Sequence, residues 1–181
     1  MGIDEVTKRA VFLDRDGVIN RAIVREGKPY APESVDVLEL ADGVADGLRK
    51  LREAGFRLIV VTNQPDVARG TQTREAVEAI HAHLQASLPI DEIIACYHDG
   101  DSCDCRKPKP GSLLDAARRH GLELAQSFMI GDRWRDVEAG QRAGCRCLFV
   151  DHGYREQQPA GSFVRVTSLL AAADWILENE S

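Results

Sequence analysis

The stretch VFLDRDGVIN (residues 11–20) places two aspartates, Asp14 and Asp16, one residue apart at the end of an apolar run. A glycine, Gly17, follows the pair directly. Carboxylates this close repel each other, so holding both at a strand end has a free-energy cost. The stretch therefore predicts a buried strand that brings two acidic side chains to a site where their negative charge is needed.

Apolar runs and amphipathic segments alternate along the rest of the chain. The runs predicted as strands are 10–14, 56–64, 91–98, 127–132 and 145–151. The segments with helical spacing of apolar residues are 42–55, 73–88, 111–121, 136–144 and 168–180. Because the strands are apolar on both faces, the pattern predicts an α/β fold. It should be a Rossmann-like three-layer sandwich with a mainly parallel central sheet.

Length and charge argue against several classes of protein. The 181 residues suit one domain that spans 1–181. The net charge of −6 and the lack of a basic stripe argue against a nucleic-acid partner. No apolar run reaches the roughly 18 residues of a membrane helix, and the acidic N-terminus lacks the apolar core of a signal peptide. We expect a cytoplasmic protein without a membrane partner. No apolar stripe demands a second subunit, so a monomer is expected.

Polar side chains lie at, or just beyond, the carboxyl ends of four of the predicted strands. In parallel α/β sheets, ligands bind beyond the carboxyl ends of the strands. The residues found there are Asp14 and Asp16; Thr62, Asn63 and Gln64; Arg106 and Lys107; and Asp132 and Arg133. Four separate segments thus bring polar groups to one edge of the sheet, which predicts a single functional site.

Carboxylates together with a lysine indicate a Mg²⁺ site that serves a phosphoryl group, because Mg²⁺ prefers oxygen ligands and keeps several waters. Asp14, at the end of the predicted strand, is the expected nucleophile and would form an aspartyl-phosphate. Asp16 would give a proton to the leaving oxygen and later take one from water. Thr62 and Lys107 would stabilise the phosphoryl oxygens as charge develops.

Four motifs then resemble, in order, those of the haloacid dehalogenase superfamily of phosphatases. They are DRDGVIN (14–20), VVTNQ (60–64), CRKPKPG (105–111) and IGDRWRD (130–136). The resemblance covers roughly residues 10–150 and implies the same catalytic roles for Asp14, Asp16, Thr62 and Lys107. It also implies that Asp14, Asp132 and the main-chain carbonyl of Asp16 hold magnesium. Asp136 has two open roles: it binds the metal through water, or it caps the following helix.

The spacing between the motifs leaves no room for the cap domain that many members of this superfamily insert. The site should therefore be open, with the loops 21–36 and 98–106 as its walls. The resemblance implies a small phosphorylated sugar as substrate, and a bisphosphate would need basic groups beyond the catalytic ones. The candidate substrate-binding residues are Asn63, Gln64, Arg25, Arg106 and Arg133. The alternative is a phosphate ester with a cationic amine, which would prefer a facing carboxylate.

The segment CYHDGDSCDC (96–105) contains Cys96, His98, Cys103 and Cys105. Three thiols and one imidazole match the ligand set of a structural tetrahedral zinc site, with no position left for water. The alternative is a group of reduced cysteines packed as small hydrophobic residues. The segment is too polar to form a core, so we expect Zn²⁺ to hold the loop and to set the direction of the basic residues that follow.

Two functions of other kinds remain open from the residues alone. The chain could be a binding module that responds to phosphate or metal and no longer turns over substrate. It could also be a phosphotransferase that passes the phosphoryl group to a sugar instead of water. The binding module is disfavoured because every chemical group needed for turnover is present.

Overall fold

The computed structural model describes residues 7–180, and a six-stranded sheet lies at its centre. Residues 1–6, part of the acidic N-terminus considered above, lie outside this range. The strands are β1 (Ala10–Leu13), β2 (Ile23–Arg25), β3 (Lys28–Tyr30), β4 (Arg57–Asn63), β5 (Glu92–Cys96), β6 (Phe128–Gly131), β7 (Arg146–Val150) and β8 (Val164–Val166). The helices are α1 (Val44–Glu53), α2 (Asp66–Arg69), α3 (Arg74–Ser87), α4 (Gly111–His120), α5 (Trp134–Ala143) and α6 (Leu169–Asn179). Two 3₁₀ turns span Val35–Val37 and Leu124–Gln126.

The central sheet has the strand order β5-β4-β1-β6-β7-β8, and every neighbouring pair is parallel. β1 lies between β4 and β6, with Val11 opposite Leu58 on one side and Phe128 on the other. The carboxyl ends of these three strands therefore lie side by side. The parallel sheet confirms the predicted α/β fold.

Side chains of β1 alternate between two apolar cores, one on each face of the sheet. Val11 and Leu13 belong to a cluster that includes residues of α1, α3 and α6. Ala10 and Phe12 belong to a second cluster with residues of α4 and α5. All four side chains are fully buried, and burial of each large one contributes about 1.5–3 kcal/mol. Because helices cover both faces, the strand ends are the edge at which a ligand can enter.

The five long helices lie where their apolar spacing predicts them, with ends that differ by at most two residues. Thr73 is the predicted N-cap of α3, and its hydroxyl accepts a hydrogen bond from the Ala76 amide at 3.2 Å. Gly121 ends α4 with a φ of 63°, as expected for a C-terminal glycine. None of the helices in residues 7–180 is long and apolar enough to cross a membrane.

The segment between β1 and β4 holds the hairpin β2–β3, one 3₁₀ turn and α1, and residues 7–180 contain no separate cap domain. The hairpin was not predicted, because its two strands are short and largely exposed. Its two-residue turn, Glu26-Gly27, has positive φ at both positions (52° and 77°). Such turns usually carry Asn-Gly or Asp-Gly, so the Glu-Gly pair does not match the sequence pattern that would have predicted a hairpin.

Candidate active site

A cavity of about 280 Å³ opens at the carboxyl ends of β1 and β4. It brings together seven of the predicted site residues: Asp14, Asp16, Asn63, Gln64, Arg106, Lys107 and Arg133. The lining is completed by Lys28, Pro29, Tyr30, Ala31, Pro65, Asp66, Arg69, Arg135 and Asp136. Thr62 and Asp132 are buried at the ends of β4 and β6. Polar residues from distant parts of the sequence thus share one open site.

Lys107 is the centre of this site and is almost completely buried. Its ammonium group donates to Asp14 Oδ1 at 2.9 Å and to the Val61 carbonyl at 2.6 Å, and it pairs with Asp136 Oδ1 at 2.7 Å. Burial disfavours the charged amine, but Asp136 and Asp14 outweigh it and raise the pKa of Lys107 above its ordinary value. Lys107 is therefore held as a cation beside the proposed nucleophile.

Three carboxylates surround this single cation. One oxygen each of Asp14, Asp132 and Asp136 lies within 4.8 Å of the others, and all three residues are buried. Neither carboxylate oxygen of Asp132 makes a hydrogen bond of good geometry within residues 7–180, although the Tyr154 hydroxyl lies close enough to oppose the rise of its pKa. Burial, followed by the charges of Asp14 and Asp136, raises the pKa of Asp132 well above its ordinary value. If all three carboxylates are ionised, two negative charges stay uncompensated, so the cluster fits a hard divalent cation such as Mg²⁺.

Asp136 combines a structural and an electrostatic role. Its Oδ2 accepts a hydrogen bond from the Arg133 amide at 3.0 Å and so caps the first turn of α5. The helix consequently begins at Trp134, two residues before the predicted start. The other oxygen, Oδ1, pairs with Lys107. Burial and the Asp14 charge raise the pKa of Asp136 to about 6, although Lys107 acts in the opposite direction.

Two glycines allow the acidic groups to approach the backbone. A Cβ atom at Gly17 would lie 1.9 Å from Asp132 Oδ2, and Gly17 also has a φ of 88°. A Cβ atom at Gly131 would lie 2.0 Å from the Cβ of Asp136. Both distances are far inside van der Waals contact. The site therefore packs its carboxylates against bare backbone at two places.

Asp16 is held by a group of hydrogen-bond donors. Arg15 Nε and Nη2 both donate to Asp16 Oδ1, at 3.0 and 2.9 Å. Asn20 Nδ2 donates to Oδ1 at 3.0 Å and Gln64 Nε2 to Oδ2 at 2.9 Å. Burial works against the ionised form, yet Arg15 and these amides hold the pKa of Asp16 below its ordinary value. In this arrangement Asp16 is a carboxylate.

Arg15 is fully buried and connects Asp16 to α3. Its Nη1 lies 2.9 Å from His81 Nε2, and burial and the Arg15 charge lower the pKa of His81 to about 4. His81 is therefore neutral near pH 7 and can accept this hydrogen bond. The predictions assigned no role to Arg15. Its position between Asp14 and Asp16 could have indicated a role, since a positive charge there must be buried together with the two carboxylates.

The amides after β4 organise the neighbouring catalytic groups. Asn63 accepts from the Lys107 amide and donates to the Lys107 carbonyl, both at 3.1 Å. Gln64 Nε2 donates to Thr62 Oγ1 at 2.9 Å as well as to Asp16. Both residues line the cavity. Their side-chain contacts thus fix the positions of Lys107, Thr62 and Asp16, and substrate contact by Asn63 and Gln64 stays a prediction.

The three predicted substrate-binding arginines lie in different settings. Arg106 and Arg133 line the cavity. Arg133 forms a two-pronged ion pair with Glu156, and this partner outweighs burial and raises the pKa of Arg133. Arg25 does not line the cavity; it lies 3.7 Å from Glu33 and over the ring of Tyr30. The geometry therefore gives no support to substrate contact by Arg25.

The residues that follow β7 also reach this edge. Burial and the negative charge of Asp132 raise the pKa of Tyr154. His152 Nε2 lies 2.7 Å from the Gly17 carbonyl. Tyr154 was missing from the predictions, although the rule that ligands bind at the carboxyl ends of strands applies to β7 as well. Tyr154 and His152 thus brace the turn after Asp16 and the neighbouring Asp132.

The predicted zinc ligands form one cluster beside the cavity. The donor atoms of Cys96, His98, Cys103 and Cys105 all lie within 4.8 Å of one another. Cys105 Sγ is 3.0 Å from Cys96 Sγ and 3.3 Å from His98 Nδ1. Three sulfurs and one nitrogen converging from a polar loop fit a tetrahedral Zn²⁺ ion. The packed-core alternative fits poorly, because Cys103 and Cys105 are only partly buried.

The zinc loop joins directly to the catalytic lysine. Cys105 precedes Lys107 by two residues, and its carbonyl accepts a hydrogen bond from Ser112 Oγ at 3.0 Å. Lys109 Nζ donates to the carbonyls of Asp101 at 2.7 Å and Cys103 at 2.8 Å. A metal in the cluster would therefore fix the backbone from which Lys107 extends.

Comparison with known proteins gives similarity over nearly the whole chain. A family model described as HAD-hydrolase-like matches residues 104–172. The D-glycero-beta-D-manno-heptose-1,7-bisphosphate 7-phosphatase of Yersinia pestis is 35% identical over 183 residues, which cover 94% of this chain and 90% of that protein. The protein of the same name from Escherichia coli (strain K12) is 36% identical, over 94% of this chain and 88% of its own length.

A solved structure is similar in shape as well as in sequence. It is a D,D-heptose 1.7-bisphosphate phosphatase from B. bronchiseptica, complexed with magnesium and phosphate. Its TM-score is 0.80 and its sequence identity 31%, and the match covers 94% of this chain and 98% of that one.

Proposed function

The chain belongs to the haloacid dehalogenase superfamily and is a phosphatase, and from this premise we propose that it removes the 7-phosphate of D-glycero-D-manno-heptose 1,7-bisphosphate. The observation that carries the proposal is the buried cluster of Asp14, Asp132, Asp136 and Lys107 at the end of the parallel sheet. A cavity with several basic residues at its wall supports a substrate that has a second phosphate.

Asp14 forms the new bond in the first half of the reaction. A carboxylate oxygen of Asp14 attacks phosphorus, the bond to the sugar oxygen breaks, and an aspartyl-phosphate results. Lys107 already lies 2.9 Å from Asp14 Oδ1, so its charge stabilises the phosphoryl oxygens. The Thr62 hydroxyl accepts from Gln64, which leaves its own proton available for a phosphoryl oxygen.

Asp16 exchanges protons in both halves of the reaction. Protonated, it gives its proton to the departing sugar oxygen; as a carboxylate, it takes a proton from the water that hydrolyses the aspartyl-phosphate. The observed contacts with Arg15, Asn20 and Gln64 favour the carboxylate. Proton uptake before the first half therefore requires one of these hydrogen bonds to give way when substrate enters.

Magnesium is the metal that fits the acidic cluster. Asp14, Asp132 and the main-chain carbonyl of Asp16 would hold it. When bound, it offsets the repulsion between the phosphate and the nucleophilic carboxylate. Within residues 7–180 the buried Asp132 carboxylate has no hydrogen bond of good geometry, which supports this assignment because burial of an unsatisfied carboxylate is costly.

Substrate choice is tested by comparing kcat/KM for the α- and β-heptose 1,7-bisphosphates with that for histidinol phosphate, all with Mg²⁺ present. Histidinol phosphate is the alternative, since it has one phosphate and a cationic amine. We expect the preferred bisphosphate to react at least about 100-fold more efficiently, because the basic wall would repel the amine and find no second phosphate to bind. Equal efficiency, or a preference for histidinol phosphate, would overturn the proposed substrate.

We also propose a structural Zn²⁺ ion at Cys96, His98, Cys103 and Cys105, with no part in the chemistry. Changing Cys103 to Ser should lower the zinc content from one equivalent and lower the melting temperature, while kcat of the folded fraction changes much less. Elemental analysis and thermal unfolding measure the two effects. Cys147→Ser is the matched control, because Cys147 is a buried core thiol outside the cluster and its loss should leave zinc in place. A full zinc equivalent in Cys103→Ser would contradict the site.

A single domain spanning 1–181, a monomeric state and a cytoplasmic location complete the proposal. They stay predictions from the composition and patterning of the sequence.

A further inference from the structure

Five basic residues other than Lys107 line the cavity: Lys28, Arg69, Arg106, Arg133 and Arg135. Three of them have acidic partners. Arg69 donates to Asp99 at 2.8 and 2.9 Å, Arg133 pairs with Glu156, and Arg106 lies 3.8 Å from Asp99. The charges of these three arginines are thus partly compensated inside the protein.

Arg135 differs from these three. No carboxylate of residues 7–180 lies within 4.0 Å of its guanidinium. The group instead stacks on the ring of Trp134, 4.6 Å from the ring centroid. Lys28 has no ion pair in residues 7–180 either, but it is exposed and therefore hydrated. Arg135 is partly buried, so water compensates its charge less well.

The surroundings of Arg135 make its charge more costly still. Burial, followed by the positive charges of Arg106 and Arg133, lowers the pKa of Arg135, and the more distant Glu156 and Asp101 only partly oppose this. Three guanidinium groups near one another in an open cavity repel each other unless an anion joins them. Guanidinium groups bind phosphate oxygens through pairs of parallel N–H donors, which makes phosphate the fitting anion.

Arg135 and Lys107 line the same cavity but differ in burial, since Lys107 is almost completely buried and Arg135 only partly. The Lys107 ammonium group contacts Asp14, Asp136 and the Val61 carbonyl at the buried end of the cavity. Arg135 is in the first turn of α5, directly before Asp136, and its cation–π contact with Trp134 restricts its side chain. Because both side chains line one cavity, a substrate with its reacting phosphate at Lys107 can direct a second phosphate to Arg135.

We propose that Arg135 binds the phosphate that is not hydrolysed and thereby makes the enzyme select sugar bisphosphates over sugar monophosphates. This inference rests on the proposed function and extends it, because it names a specificity-determining residue. Trp134 positions the guanidinium, and Arg106 and Arg133 share the same anion.

The test compares kcat and KM of wild type, Arg135→Gln and Arg135→Lys on heptose 1,7-bisphosphate and on heptose 7-phosphate. We expect Arg135→Gln to raise KM for the bisphosphate about 10- to 100-fold, with kcat changed less than about threefold. The monophosphate parameters should stay at their wild-type values. Arg135→Lys should restore part of the loss, because it keeps the charge without the paired donors. The inference would be overturned if Arg135→Gln lowered kcat/KM equally for the bisphosphate and the monophosphate, or left the ratio of the two kcat/KM values unchanged.

Arg142→Gln is the matched control. Arg142 is on the same helix, pairs with Glu138 and does not line the cavity. Its loss should therefore leave kcat and KM for both substrates unchanged. If Arg142→Gln raised KM for the bisphosphate as much as Arg135→Gln, the effect would be a general one of surface charge, and the assignment to Arg135 would be wrong.

A binding measurement separates this inference from the proposed function. Calorimetric titration of heptose 1,7-bisphosphate is carried out with Asp14→Asn and with Asp14→Asn/Arg135→Gln, both of which lack the nucleophile. The inference is supported if Asp14→Asn binds the bisphosphate and Asp14→Asn/Arg135→Gln binds it at least about tenfold more weakly. Equal affinity of the two variants for the bisphosphate would overturn the role of Arg135 but would still support the proposed substrate. No binding to the first variant overturns the proposed substrate and the inference together.

Discussion

Replacing Asp14 with Asn is expected to lower kcat by about 10⁴-fold or more, since the amide cannot form the aspartyl-phosphate. The fold should survive the change. Asp14 contributes to the repulsion that raises the pKa of the buried Asp132, and an uncharged amide removes it. We therefore expect the metal-free variant to melt at or above the wild-type temperature. Magnesium-dependent phosphate release from an aryl phosphate and thermal unfolding measure the two effects.

Asp115→Asn is the control for this experiment. Asp115 is a partly exposed residue of α4 that pairs with Arg118 and Arg119 and does not line the cavity, so its loss should change kcat less than about twofold. Turnover by Asp14→Asn at the wild-type rate would show that another group attacks phosphorus. A large fall in melting temperature would show that Asp14 stabilises the fold, contrary to the electrostatic account.

Replacing Lys107 with Met should cost both activity and stability. Asp14 and Asp136 would stay buried without their shared cation, and removal of one partner from a buried ion pair costs about 3–5 kcal/mol. The phosphoryl oxygens would also lose a charged donor, which is worth about 100- to 1000-fold in kcat. Urea unfolding without added metal gives the stability change, and kcat is measured on the folded fraction.

Two further variants isolate the buried pair. Lys50→Met breaks an exposed pair with Asp174 and should cost less than about 1 kcal/mol. The double variant Asp14→Asn/Lys107→Met should be more stable than Lys107→Met alone, because it removes one of the abandoned charges. If Lys107→Met and Lys50→Met unfold at the same urea concentration, the cluster does not depend on its lysine.

The sequence predicted the site residues that combine a reactive side chain with a position at the end of a strand. Asp14, Thr62, Lys107 and Asp132 each belong to a motif at or beyond the carboxyl end of a strand, and parallel strands carry these ends to one edge. That rule was enough to predict that they meet. The zinc cluster was equally accessible, because its four ligands fall within ten residues, from Cys96 to Cys105.

Other features depend on contacts that no local pattern encodes. Arg15 and His81 are 66 residues apart, and only the packing of α3 against the sheet end brings them together. Arg135 stands out because no carboxylate within residues 7–180 pairs with it, which is a property of the folded surroundings and not of the motif. The dual role of Asp136 likewise follows from one oxygen facing its own helix and the other facing Lys107.

Gly17 and Gly131 limit how this catalytic centre can change. At each, even a single methyl group would overlap an atom of an acidic residue of the centre. Most positions in a protein tolerate some exchange of size, but here the permitted volume is zero. A change of substrate preference in this protein is therefore easier to achieve at the outer wall of the cavity than at these two glycines, where substitution would disturb the acidic centre.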